Sequence, residues 1–175
     1  MHRNSIRRLT LTAMFIALGY LLPFLTGQIP QVGSMLSPMH IPALLCGFVC
    51  GWQYGLVAGA IMPLLRSVTL GMPPMFPTAV AMAFELAAYG CAAGLLYHAF
   101  PRRIAFVYIA LVLSMLAGRA VWGLVTAVLM MATGSSFTTQ AFLAGAFVNA
   151  WPGILLHILV IPPIVVGLRR AKLMD

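Results

Sequence analysis

The sequence predicts an all-α integral membrane protein with six transmembrane helices and both termini in the cytoplasm. Three observations lead there. Of 175 residues, 62% are apolar and 7% are charged, against about 25% charged in an ordinary soluble domain. Eight of the ten Lys and Arg residues stand in three clusters at the ends of apolar runs. The runs between the clusters are long enough for helices, each crossing taking about 20 residues. Twelve charged side chains cannot keep so apolar a chain dissolved, so a soluble globular domain is excluded. Disorder is excluded because it needs low hydrophobicity. The formal charge of +8 forms no basic face, so nucleic acid is not an expected partner.

The clusters set the orientation. Arg3, Arg7 and Arg8 precede the first run, Arg102 and Arg103 stand mid-chain, and Arg169, Arg170 and Lys172 follow the last run. The positive-inside rule places all three in the cytoplasm. An even number of crossings therefore lies between each pair of clusters.

The elements follow in order. Residues 7–25 form the first helix, going out. No clean small-residue cleavage site follows it, so it reads as retained rather than as a signal peptide. Residues 41–70 would span about 45 Å as one helix, too long for one crossing and of the wrong parity for the charges. Two short helices, 39–53 and 55–70, turning near Trp52-Gln53-Tyr54 satisfy both; a re-entrant pair is the alternative. Residues 78–99 return to the cytoplasm. Residues 104–132 cross outward, Thr133-Gly134-Ser135-Ser136 breaks the run, and 140–168 returns. The last two exceed an ordinary span and imply tilt or kinks. The chain is one membrane domain, 1–175.

Three charges remain inside apolar runs: Arg66, Glu85 and Arg119. Charges at mid-bilayer are costly and face a cavity or a partner. Counted along the helices, these three and Asn149 fall in the outer half of the membrane, with His157 as the main polar residue of the inner half. Tyr89 follows Glu85 by four residues and Trp122 follows Arg119 by three, which puts each on its neighbour's face. Together with His40 at the edge of the first outer loop, Arg119, Glu85, Asn149, Arg66, Trp122 and Tyr89 outline a pocket for a small polar molecule. Arg119 is the choice for an anion, because a guanidinium meets a carboxylate bidentately. The bland alternative is an ion pair in which Glu85 neutralises Arg66 or Arg119. Two Arg against one Glu still leave a positive surplus.

Other features carry less. Cys46 and Cys50 are four apart, without CxxC spacing, and read as buried membrane residues; no metal and no cofactor is expected. The chain has no GxxxxGK[ST] loop, so any ATP hydrolysis would come from a partner. Ala13 and Ala17 form a small-xxx-small pair on the first helix, suited to close approach of another helix. Gly47, Gly51, Gly55 and Gly59 repeat every four residues and read as tight packing of the two short helices.

With these residues in hand, the chain resembles the substrate-binding S components of energy-coupling factor (ECF) vitamin transporters. The resemblance rests on the size, the basic residues before Ala13-Met14-Phe15-Ile16-Ala17, and the stretch from His40 to Phe48 with Gly51-x-x-Tyr54-Gly55-Leu56. It rests most on Gly71-Met72-Pro73-Pro74-x-x-Pro77 and on Phe84-Glu85-Leu86-x-x-Tyr89-Gly90. The resemblance implies a high-affinity binding subunit in the bacterial plasma membrane. It implies a pocket near the outer face, built by the later helices and capped by the first outer loop. It also implies partners: a transmembrane coupling subunit, met through Ala13 and Ala17, and two cytoplasmic ATPase subunits. The pattern is most similar to the pantothenate and folate branch, and pantothenate suits one Arg beside Asn, Tyr and Trp. Folate or a pyrimidine precursor are alternative cargoes, and a standalone secondary transporter is the alternative class. A membrane-embedded enzyme would need Glu85 and His157 at one depth, which the counting does not give.

Overall fold

The computed structural model describes residues 2–26, 35–101, 103–134, 138, 140, 144–145, 150–171 and 174. Among the described residues the chain forms six α-helices. They are α1 (His2–Leu21), α2 (His40–Cys50), α3 (Trp52–Leu70), α4 (Val80–Ala99), α5 (Ile104–Ala132) and α6 (Trp151–Arg170). A 3-10 turn, Leu22–Thr26, extends α1, and a wide turn, Met75–Ala79, leads into α4. Four stretches are long and apolar enough to cross a membrane: Ser5–Leu25, Met75–Ala99, Ile104–Ala132 and Trp151–Arg170.

Helix α2 has 11 residues, about 16 Å of rise, roughly half the hydrocarbon thickness. The turn after it falls at Gly51, not at Trp52-Gln53-Tyr54. Gly51 has φ +98°, a conformation that costs little only without a Cβ. It ends α2 and begins α3 at once, so Trp52, Gln53 and Tyr54 form the first turn of α3.

The glycine series packs differently from the expectation. Gly47 and Gly55 do approach each other, but both also meet the backbone of Gly90 on α4. Gly59 lies on the Leu86 carbonyl, and Gly94 of α4 takes the start of α3 at Trp52. A methyl group at any of these positions would collide with backbone. Gly47, Gly55 and Gly59, with Gly90 and Gly94, are thus the seam of a three-helix unit in which α4 is the common member, while Gly51 serves the turn. The reason is steric: absent side chains allow main chains to touch.

Helix α4 also packs along α5, while α1 lies on α2 and α3, and α6 on α5 and α2. Between them sits an apolar core that includes Leu44, Phe48, Met62, Leu86, Leu111, Ile161 and Val165. On α1 the inward residues are Thr12, Phe15 and Gly19, spaced as one helical face. Ala13, Met14, Ala17, Leu18 and Leu21 lie on the exposed side. The outer faces of α5 and α6 are likewise apolar, with Leu124, Val128, Leu155 and Leu159 exposed. A water-soluble bundle would carry polar residues there; lipid-facing helices do not.

The two ends of the bundle differ. One carries a cleft of about 320 Å³ lined by Arg8, Cys50, Gly51, Trp52, Gln53, Tyr54, Leu95 and His98. It gathers the start of α1, the α2–α3 turn and the end of α4. The opposite end gathers the starts of α2, α4 and α6 with the later part of α5, and the buried charges lie there.

Candidate functional site

Glu85 stands in the second turn of α4 and is 2% exposed. Its Oε1 is approached from three sides. Arg119 Nη1, from α5, lies 2.9 Å away. Tyr89 Oη, one turn further along α4, donates to it at 3.2 Å. His40 Nε2, at the first residue of α2, lies 3.4 Å away, outside hydrogen-bonding geometry. Helical periodicity brings Tyr89 onto the face of Glu85. Gly118 makes room for it on the other side, since a side chain there would strike the Tyr89 ring.

His157 completes the group. It lies in the second turn of α6, is 2% exposed and stacks on His40 with ring centroids 5.9 Å apart at 22°. His40 meets Tyr89 edge-on at 5.1 Å. A backbone hydrogen bond ties His157 to Ser37, and the Ser37 carbonyl also accepts the His40 N–H at 3.0 Å. One turn before His157, Gly153 lies under the carbonyls of Met35 and Leu36; a Cβ there would come within 2.6 Å of the first. The segment entering α2 is therefore seated on α6.

Depth counting from the sequence put His157 in the other half of the membrane. The structure places it otherwise: α6 starts at Trp151, so His157 is near the same end as Glu85. His40, Glu85, Tyr89, Arg119 and His157 come together although they span four helices.

Arg66 does not join them. It is 4% exposed; its Nη1 donates to the Tyr20 carbonyl at 2.8 Å and its guanidinium lies 5.0 Å from the Phe24 ring centre. It closes the last turn of α1, where a carbonyl has no helical partner. The positive surplus counted in the sequence therefore belongs to a helix cap, and the cluster holds one Glu against one Arg. Trp122 is half-buried and faces Gly145, where a methyl would come within 2.8 Å of its ring. Asn149 lies outside the described residues.

The cluster is not saturated. Among the described residues, Arg119 Nε, both ring nitrogens of His40 and Nε2 of His157 are buried without a hydrogen-bond partner. Thr126 Oγ1 is another such atom. It stands seven residues after Arg119, two turns along the same face of α5, a spacing that could have drawn attention to it. Native proteins leave few buried polar atoms unpaired, and four of them lie together here, one of which, His40 Nε2, faces Glu85 at 3.4 Å. No group of three or more His, Cys, Asp or Glu among the described residues could hold a metal ion.

The structure is thus a multi-helix membrane fold with a buried, half-satisfied polar cluster near one end. Comparison with known families gives the class: the family of ECF transporter substrate-specific components matches residues 7–165, and the chain belongs to that family. No curated protein and no solved structure matches it. The chain is thus a substrate-specific subunit of the ECF type, working in the membrane with partner ECF components.

Proposed function

We propose that this subunit binds a small water-soluble vitamin or precursor carrying a carboxylate, with pantothenate the first candidate, at the Glu85–Arg119 cluster. One observation carries the reading. Arg119 spends Nη1 on Glu85, yet its Nε is buried and unpartnered. A guanidinium offers its donors as forks on separate edges. The edge bearing Nε is left for an anion, and a carboxylate matches such an edge with two parallel charge-assisted hydrogen bonds. Glu85 then holds Arg119 in place rather than repelling the cargo. Trp122 and Tyr89 supply aromatic walls, and the Met35–His40 segment closes over the site. Asn149 belongs to the same proposal by its position just before α6.

In the same reading the chain crosses a bacterial plasma membrane six times, with both termini and the Arg8–His98 cleft on the cytoplasmic side. The exposed face with Ala13 and Ala17 meets a transmembrane coupling subunit, and two ATPase subunits supply the energy. Calorimetric titration of the purified protein with pantothenate tests the site. Arg119→Lys keeps the charge but loses the fork, and should weaken binding by about tenfold or more. Undiminished binding by that variant and by Arg119→Ala would sink the proposal. Mass spectrometry of the extracted protein identifies the cargo directly.

A further inference from the structure

Resting on that reading, we infer that His157, together with His40, reads a hydroxyl or N–H donor on the cargo, so that the substrate class is a hydroxylated or amide-bearing carboxylic acid. A carbonyl oxygen only accepts hydrogen bonds. The Ser37 carbonyl accepts the backbone N–H of His40, and its backbone bond with His157 has the imidazole as the donor. Nε2 of His157 has no partner, so Nδ1 makes that bond. A neutral imidazole carries a single proton. With Nδ1 holding it, Nε2 presents a lone pair, buried and unanswered.

His40 repeats the pattern. Its Nε2 faces the Glu85 carboxylate at 3.4 Å, and a carboxylate draws the ring proton to the nitrogen it faces. Nδ1 is then the acceptor, and it too is buried without a partner. The stack on His157 and the edge contact with Tyr89 fix the ring plane. The site therefore offers one cationic donor edge at Arg119 and an unpartnered nitrogen on each imidazole for a donor to meet. An acid with only an alkyl tail satisfies the first and strands the other two. An acid with a hydroxyl or amide N–H satisfies both kinds.

The test uses three probes in calorimetric titrations of the purified full chain. They are pantothenate, its analogue with both hydroxyls replaced by hydrogen, and its analogue with the amide N–H replaced by an ester oxygen. Wild type should bind at least one analogue about tenfold or more weaker than pantothenate, as expected for a stranded buried acceptor. His157→Asn keeps a donor for Ser37 and removes the outer acceptor; it should bring pantothenate down to the weaker analogue and leave that analogue almost unchanged. His157→Gln, whose amide oxygen reaches the Nε2 position, should recover part of the preference. Equal binding of all three by wild type, with Arg119→Lys weakening each, overturns this inference and leaves the carboxylate site standing. Failure of all three to bind overturns both.

Discussion

Arg119 Nη1 and Glu85 Oε1 meet at 2.9 Å between α5 and α4, with side chains 11% and 2% exposed. Their charges cancel inside the bundle, so on the proposed reading an anion would be met by the spare edge of one guanidinium rather than by excess charge. Two buried charges hold each other in place, and neither tolerates the loss of the other.

Glu85→Ala should therefore be destabilising. Removing one partner of a buried pair leaves the other charge uncompensated, at a cost of about 3–5 kcal/mol. Thermal melting in detergent should show a clear drop. The double variant Glu85→Ala with Arg119→Met should recover much of it, because the stranded charge is gone. A double variant as unstable as the single one would contradict this account of the pair.

Arg66→Ala should act on α1 and not on the site. The Tyr20 carbonyl would lose its donor and Phe24 its cation, an effect of about 1–3 kcal/mol. Hydrogen exchange should speed up around Tyr20–Leu25, while the affinity for pantothenate stays within about twofold. A large fall in affinity with unchanged exchange would place Arg66 in the pocket after all.

Gly59→Ala and Gly90→Ala should each cost about 1–3 kcal/mol or more, because each new methyl meets the backbone of the opposing helix. Gly167→Ala is the control. Nothing lies within 4 Å of the added carbon, and alanine is the better helix former by about 1 kcal/mol. Melting temperatures of the three variants, measured side by side, decide whether the seam is as tight as described.

Ala13→Trp should leave ligand binding intact and abolish ATP-driven uptake in cells. Position 13 is exposed on α1, away from Thr12 and Phe15, which face the bundle. Uptake at the wild-type rate would show that the coupling subunit does not use this face.

Much of the architecture was legible because it follows from solvent. Apolar runs between Arg clusters can only be membrane helices, and Gly or Pro residues between the runs mark the turns. Glu85, Tyr89 and Arg119 stood out because buried charges are costly and helical spacing links neighbours. Arg66 misled for a specific reason. A charge count does not say whether a guanidinium meets a carboxylate or a helix-end carbonyl. His157 was misplaced because its depth was counted from residue 140, while α6 begins at Trp151. The stack of His157 on His40 joins residues on different helices, and no periodicity within one helix encodes such a contact.

The glycine seam has a consequence for how such a protein changes its cargo. Where main chains touch directly, at Gly47, Gly55, Gly59, Gly90 and Gly94, no side chain can be added between α2, α3 and α4. His40 and Glu85 therefore ride on a frame whose helix spacing is held by backbone contacts at the glycines. Arg119, Trp122, Thr126 and His157 stand on α5 and α6, outside that seam. If the proposed site is right, substitutions there would remodel it one side chain at a time without disturbing the frame. Chassis and lock are separate parts of one short chain, and new specificities can be tried on the second while the first is left alone.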